Sequence, residues 1–174
     1  MTNSKPKETL IRAQEIASRC ASKTESEVTA LARSNQVSDR LVALMIMQTR
    51  ASEHHSIRPY LDTARRLIHD ADNNCRWQAL ILVGEGIARE PELVWEVISE
   101  EGSFYDDDMR MGVATILLEH LLNEHFEDYF PLVCERVLSG DEHFAKTVKS
   151  CWISDPTHKK RVENLLRNGK RGQS

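Results

Sequence analysis

Between Asp72 and Trp152 one pattern of polar and apolar positions occurs three times. Asp72-Asn73-Asn74-Cys75 opens a run that is apolar again at Ala79 and Val83. Asp106-Asp107-Asp108-Met109 leads to Val113 and Leu117, and Asp141-Glu142-His143-Phe144 leads to Val148 and Trp152. The copies are offset by 34 and 35 residues, with apolar residues three, seven and eleven places after each aspartate. Steps of three and four are the period of a helix with one buried face, and an aspartate just ahead of it is a helix cap. Units of this length predict stacked two-helix repeats.

The remaining chain extends the pattern. A first helix is expected from Lys7, with Leu10, Ala13, Ile16, Ala17 and Cys20 on one side. Thr24 or Ser26 caps a second helix carrying Val28, Leu31 and Ala32, and Asp39–Arg50 forms a third. Ala51–Ile57 reads as a polar break, after which Pro59 sits in the first turn of the next helix. Further helices are predicted over 75–89, from Pro91, over 107–123, over 127–139 and over 142–153. Asp155-Pro156 starts the last. No useful length alternates with period two, so about ten helices and an all-α fold follow.

Composition fits this fold. Seven glycines and five prolines in 174 residues are few for a loop-rich or all-β protein. One domain over residues 1–174 is expected, with repeats at 24–53, 57–89, 91–124 and 127–153. Residues 154–168 form a capping helix, while 1–6 and 169–174 are expected to be disordered. No apolar run approaches the roughly 18 residues of a membrane span. Met1 to Glu8 has no apolar segment behind it, so neither a leader nor a membrane partner is expected, and the expected location is cytoplasmic. Cys20, Cys75, Cys134 and Cys151 lie far apart without a C-x-x-C pair, as expected of reduced thiols acting as small hydrophobes. Charge is uneven: residues 158–174 hold six Lys/Arg against one acid, +5, and the other 157 residues hold 17 against 26, −9. A basic tail on an acidic body allows weak nucleic-acid contact, although a solvated helix end explains it as well.

The repeat resembles the HEAT-like (ARM-type) helical repeat proteins. Asp72, Cys75, Arg76, Ala79 and Val83-Gly84-Glu85 fit that family's turn aspartate, apolar residue and arginine, as do Asp106, Met109, Arg110, Val113 and Leu117-Leu118-Glu119. Pro59, Pro91 and Pro131 suit its first helices. The third copy has Ala145 in place of the arginine, and the copy at Asp39-Arg40 is fainter. The resemblance spans roughly residues 24–153 and implies a right-handed superhelical stack of antiparallel helix pairs, a HEAT-like solenoid. It implies a ladder of Asp72, Arg76, Asp106 and Arg110 along the stack. It also implies a concave face exposing Arg76, Trp77, Gln78, Ile81, Arg110, Ala114 and Lys149 to a partner.

Candidate chemistry adds little. His120 and His125, five apart on a helix, point about 140° apart and do not chelate from one face. One enzyme group built from such repeats, the deoxyhypusine hydroxylases, holds iron with His-Glu pairs; here the order is reversed in Glu53-His54, Glu119-His120, Glu124-His125 and Glu142-His143. Asp106-Asp107-Asp108 lacks the Gly and Glu of a calcium loop and reads as a helix cap. No catalytic residue, metal ligand or cofactor is therefore assigned. A non-catalytic module binding a protein or peptide on its concave face is expected. The alternative is a nucleic-acid-binding or repair protein resembling the HEAT-like alkylpurine DNA glycosylases, with Trp77 exposed and Trp95 and Trp152 in the repeat core.

Overall fold

The computed structural model describes residues 5–19 and 22–169, with side chains at 10–18 and 22–169. Cys20 lies outside the described residues, as do 1–4 and 170–174 of the stretches 1–6 and 169–174 expected to be disordered; Lys5, Pro6 and Gly169 are instead helical. Every regular element among the described residues is helical, and no described helix is long and apolar enough to cross a membrane. The chain divides into two compact units between Arg89 and Glu90.

Among the described residues the first unit holds five helices. They are α1 (Lys5–Arg19), α2 (Glu25–Ala32), α3 (Val37–His54), α4 (Leu61–Ile68, entered through a 3-10 turn over Arg58–Tyr60) and α5 (Asn73–Gly84). Local chemistry sets the starts. Thr24 and Glu27 form a reciprocal capping box on α2, and Asp72 accepts the Asn74 and Cys75 amides at the head of α5. His55, in the left-handed region at φ 55°, ends α3. The polar break expected at Ala51–Ile57 is shorter than that, because Ala51 to His54 complete the helix and Ala51 is buried. α3 is central, packing on α1, α2 and α5, and α4 packs on α5. Leu41, Leu44, Met47, Leu67, Ile68 and Ala79 fill the core between them. In α1, Ala13 and Ala17 face inward, but Ile16 of the predicted apolar side is exposed.

The second unit also holds five helices among the described residues. α6 spans Pro91–Glu101, and α7 runs without interruption through Asp107–Gly112, Val113–Leu118 and Glu119–Glu124. α8 spans Phe126–Leu138, α9 Glu142–Ser150 and α10 Pro156–Gly169. Asp106 and Asp141 cap α7 and α9, and Asp155 accepts the Thr157 and His158 amides of α10. Gly140 takes φ 95° between α8 and α9, a conformation that costs a side-chain-bearing residue more than glycine. α7 is central here and packs on α6, α8 and α9. Its middle segment is π-wound: the Glu119 amide reaches the Ala114 carbonyl, five residues back. Packed by helices on several sides, α7 buries neighbouring residues in pairs: Val113 and Ala114, Leu117 and Leu118, and Leu121 and Leu122.

The repeated apolar position behaves as its spacing demands. Ala79, Val113 and Val148 are 0, 0 and 1% exposed. Burying a valine side chain contributes roughly 1.5–3 kcal/mol, so Val113 of α7 and Val148 of α9 help to hold the second unit together. Besides α3, the ends of two more helices depart from the prediction. α5 stops at Gly84, followed by turns instead of running to 89, and α9 stops at Ser150 instead of 153.

Arginines make the long-range polar links inside each unit. Arg40 Nη2 donates to Asp70 Oδ1 at 2.9 Å with Nε 2.7 Å from Oδ2, and Arg66 donates to the Ala32 carbonyl at 2.9 Å. In the second unit Arg136 donates to the Ser99 carbonyl, to Ser103 Oγ at 2.8 Å and to Asp141 Oδ2 at 3.1 Å, while lying over the Phe144 ring. Of the residues expected to form a ladder, Asp72 and Asp106 cap their own helices. Arg76 donates to Asn73, and Arg110 pairs with Asp107 at 2.6 Å, both within a single turn.

Candidate functional site

The early end of α9 creates the most distinctive surface in the second unit. Cys151 adopts an extended backbone, φ −74° and ψ 140°, which stops the helical phase that would have carried Trp152 inward. The strand-like linker that follows has its polar groups satisfied by α7. Glu119 Oε2 accepts the Trp152 amide at 2.7 Å, and Asn123 Nδ2 donates to the Trp152 carbonyl at 2.9 Å. Asn123 Oδ1 accepts both the Ser154 amide at 2.9 Å and its hydroxyl at 2.7 Å. Glu119 and Asn123 are four residues apart, so one face of α7 clamps the linker. Ile153 turns inward and Trp152 turns out, 68% exposed, with Lys159 Nζ 5.3 Å from its ring centre. The sequence reading placed Trp152 in the repeat core, and the structure puts it on the surface.

α10 is fixed along α8 by its own first turns. The His158 ring stacks on Phe126 with centroids 3.8 Å apart, and Arg161 covers Phe126 and Phe130 while pairing with Glu127 at 2.5 Å. Farther along, Gly169 approaches so closely that an added Cβ would lie 3.2 Å from Val137 Cγ1. Docked this way, α10 leaves a groove of about 870 Å³ against α9. Its apolar floor includes Val137, Val148, Ile153 and Val162, and Trp152 stands beside it. Lys146, Lys149, Lys159 and Arg167 line it with Asp141, Glu142 and Glu163.

Asp141 is committed to structure. Burial pushes its carboxyl up, but hydrogen bonds from Ser103, the Phe144 amide and Arg136 outweigh this and hold it below the ordinary value. Nor is the groove's thiol poised as a nucleophile. Burial, with Glu119 nearby, raises Cys151, whose Sγ points at the Ala114 and Thr147 carbonyls, both at 3.5 Å. Burial and then the Asp70 and Asp72 carboxylates push Cys75 up to about 12, and burial raises Cys134. Among the described residues no group of three or more His, Cys, Asp or Glu is arranged to hold a metal ion. The groove itself presents an apolar trough, an exposed indole and a cationic rim.

The residues expected on a concave face fall in different environments. Lys149 is exposed and lines the groove. Arg110 is half-buried at the start of α7, and Arg76, Trp77 and Ile81 are half-buried on α5. Gln78 and Ala114 are corrections, being 7% and 0% exposed. Gln78 is covered because α3 packs on α5 there and a side-chain relay closes the contact, Gln78 Nε2 to Gln48 at 2.7 Å and Gln48 Nε2 to Glu85 at 2.8 Å. Ala114 is covered because α9 packs on this part of α7, with Cys151 Sγ against the Ala114 carbonyl. Lys146, Trp152, Lys159 and Arg167 escaped the sequence reading. The basic C-terminal segment was a partial signal, but nothing local marks where α9 ends.

Comparison of the chain with protein-family models, with curated proteins and with solved structures gives no match.

Proposed function

We propose that the chain is a non-catalytic helical-repeat module of the HEAT-like kind, and that it binds a protein or peptide segment in the groove between α9 and α10. The repeat reading is supported by a shared plan inside each unit. Second helices pack on one another, α3 on α5 and α7 on α9, and the aspartates of the repeat head α5, α7 and α9. The single observation carrying the binding reading is Trp152, a large exposed side chain on a backbone that α7 has already ordered. An aromatic held rigid beside an apolar trough is the usual composition of a binding hot spot, because little conformational freedom is lost on contact. Of the residues first expected to meet a partner, Lys149 belongs to this surface.

A random peptide library displayed on phage and panned on the full chain tests the proposal. Binders are expected that are lost on Trp152→Ala and kept on Trp77→Ala, with both variants melting like the parent. A library yielding no clone sensitive to Trp152→Ala would overturn the groove as a peptide site. Duplex DNA titrated at low and high salt tests the nucleic-acid alternative, whose phosphate contacts must weaken steeply as salt rises.

A further inference from the structure

We infer that the occupant of the groove is a short, acidic, amphipathic helical segment of another protein, an inference that rests on the peptide-binding reading above. The argument begins with charge. Lys146, Lys149 and Arg167 have no carboxylate partner among the described residues, and Lys159 meets only the Trp152 ring. Asp141 is already neutralised by Arg136, which leaves Glu142 and Glu163 as the opposing acids on the lining. The rim is thus a cationic island on a chain whose net charge is −4. Such an island draws acidic sequences and turns away basic ones.

Shape supplies the rest. Lys146 and Lys149 lie one turn apart on α9, and Lys159 and Arg167 eight residues apart on α10. At 1.5 Å per residue the α10 side of the rim is about 12 Å long, roughly two turns of a helix. An amphipathic helix of that length presents apolar side chains at i, i+3 or i+4 and i+7 along one stripe, which suits the floor of Val148, Ile153 and Val162. Acidic residues flanking the stripe then reach the lysines on both sides, and one large apolar residue lies against Trp152.

Deep sequencing of the clones lost on Trp152→Ala tests this, alongside the exposed charge-reversed double variant Lys149→Glu/Lys159→Glu. Asp and Glu are expected to be enriched around an i, i+3/i+4, i+7 apolar pattern. Synthetic peptides of that consensus should weaken tenfold or more on the double variant and lose affinity as salt rises. Groove-dependent clones that are neutral or basic, or whose affinity survives charge reversal, would overturn the acidic chemistry while leaving the groove as a peptide site. A dimer in sedimentation velocity that dissociates on Trp152→Ala would name a second copy of the chain as occupant and overturn the inference. The absence of any groove-dependent clone would overturn the parent reading instead. Thermal melting of each variant against the parent guards against loss of fold.

Discussion

In the first unit, polar groups between helices are met from inside the unit. The Gln78–Gln48–Glu85 relay spans α3 and α5, Arg40 holds Asp70, and Arg66 caps the end of α2. In the second unit Arg136 does comparable work for α6 and α9, yet a few residues farther on Lys146, Lys149 and Arg167 of the α9–α10 groove have no ion-pair partner among the described residues. Both units have a central helix with a dry face and an aspartate-capped helix packed on it. They differ in placement: in the second unit, cations without a carboxylate partner among the described residues ring an apolar groove. Saturated polar contacts fix a structure, whereas unsaturated ones beside apolar area are the material of recognition.

The contrast predicts where substitutions matter. Val113→Asp should have the largest effect, a loss on the order of 4–5 kcal/mol, because a buried charge in α7 finds no partner. Thermal unfolding followed by circular dichroism should then show the second unit melting far below the parent, and a mutant melting like the parent would disprove the assigned core. Arg40→Ala should cost about 3–5 kcal/mol in urea denaturation, because it strands the buried Asp70 carboxylate. The double change Arg40→Met/Asp70→Leu should recover most of that loss. Gly102→Ala comes next, at about 1–3 kcal/mol. An added Cβ would lie 2.6 Å from the Ile98 carbonyl and 2.7 Å from Phe144 Cδ2.

Acid should separate the units more gently. Because the folded state lowers the pKa of Asp141, its contribution is fully present above the ordinary carboxylate value of 3.8. That contribution is lost as pH falls below it and through the folded value. Urea midpoints measured from pH 6 to pH 2.5 should fall less steeply for Asp141→Asn than for the parent. The smallest effect belongs to Trp152→Ala, within about 0.5 kcal/mol of the parent. A large loss there would mean that the indole supports the fold.

Helix starts were legible in the sequence because their chemistry is local. Thr24, Asp72, Asp106, Asp141 and Asp155 each bond amides two or three residues ahead, and spacing alone reveals that. The all-helical class and the burial of Ala79, Val113 and Val148 followed from the same short-range pattern. The ends of α5 and α9 were not legible, whereas those of α7 and α8 fell within one residue of expectation. α9 stops at Ser150 because Glu119 and Asn123, some thirty residues earlier, offer the linker better partners than another helical turn would. Trp152 therefore fits the apolar rhythm of the repeat while standing outside it. The π turn was hidden for a related reason: its apolar run reads equally well as an ordinary helix, and its register is chosen by what packs on both sides of α7.

That turn sets the rotational phase of everything after it. Winding the same residues as an ordinary helix, with none deleted, would swing the last segment of α7 by about 100°, the turn of the one extra residue that the π segment absorbs. Glu119 and Asn123 would then point away from the linker, and Trp152 would lose its mooring although every residue of the groove itself remained in place. One surplus residue in the middle of a helix is thus the timing element that aims the indole.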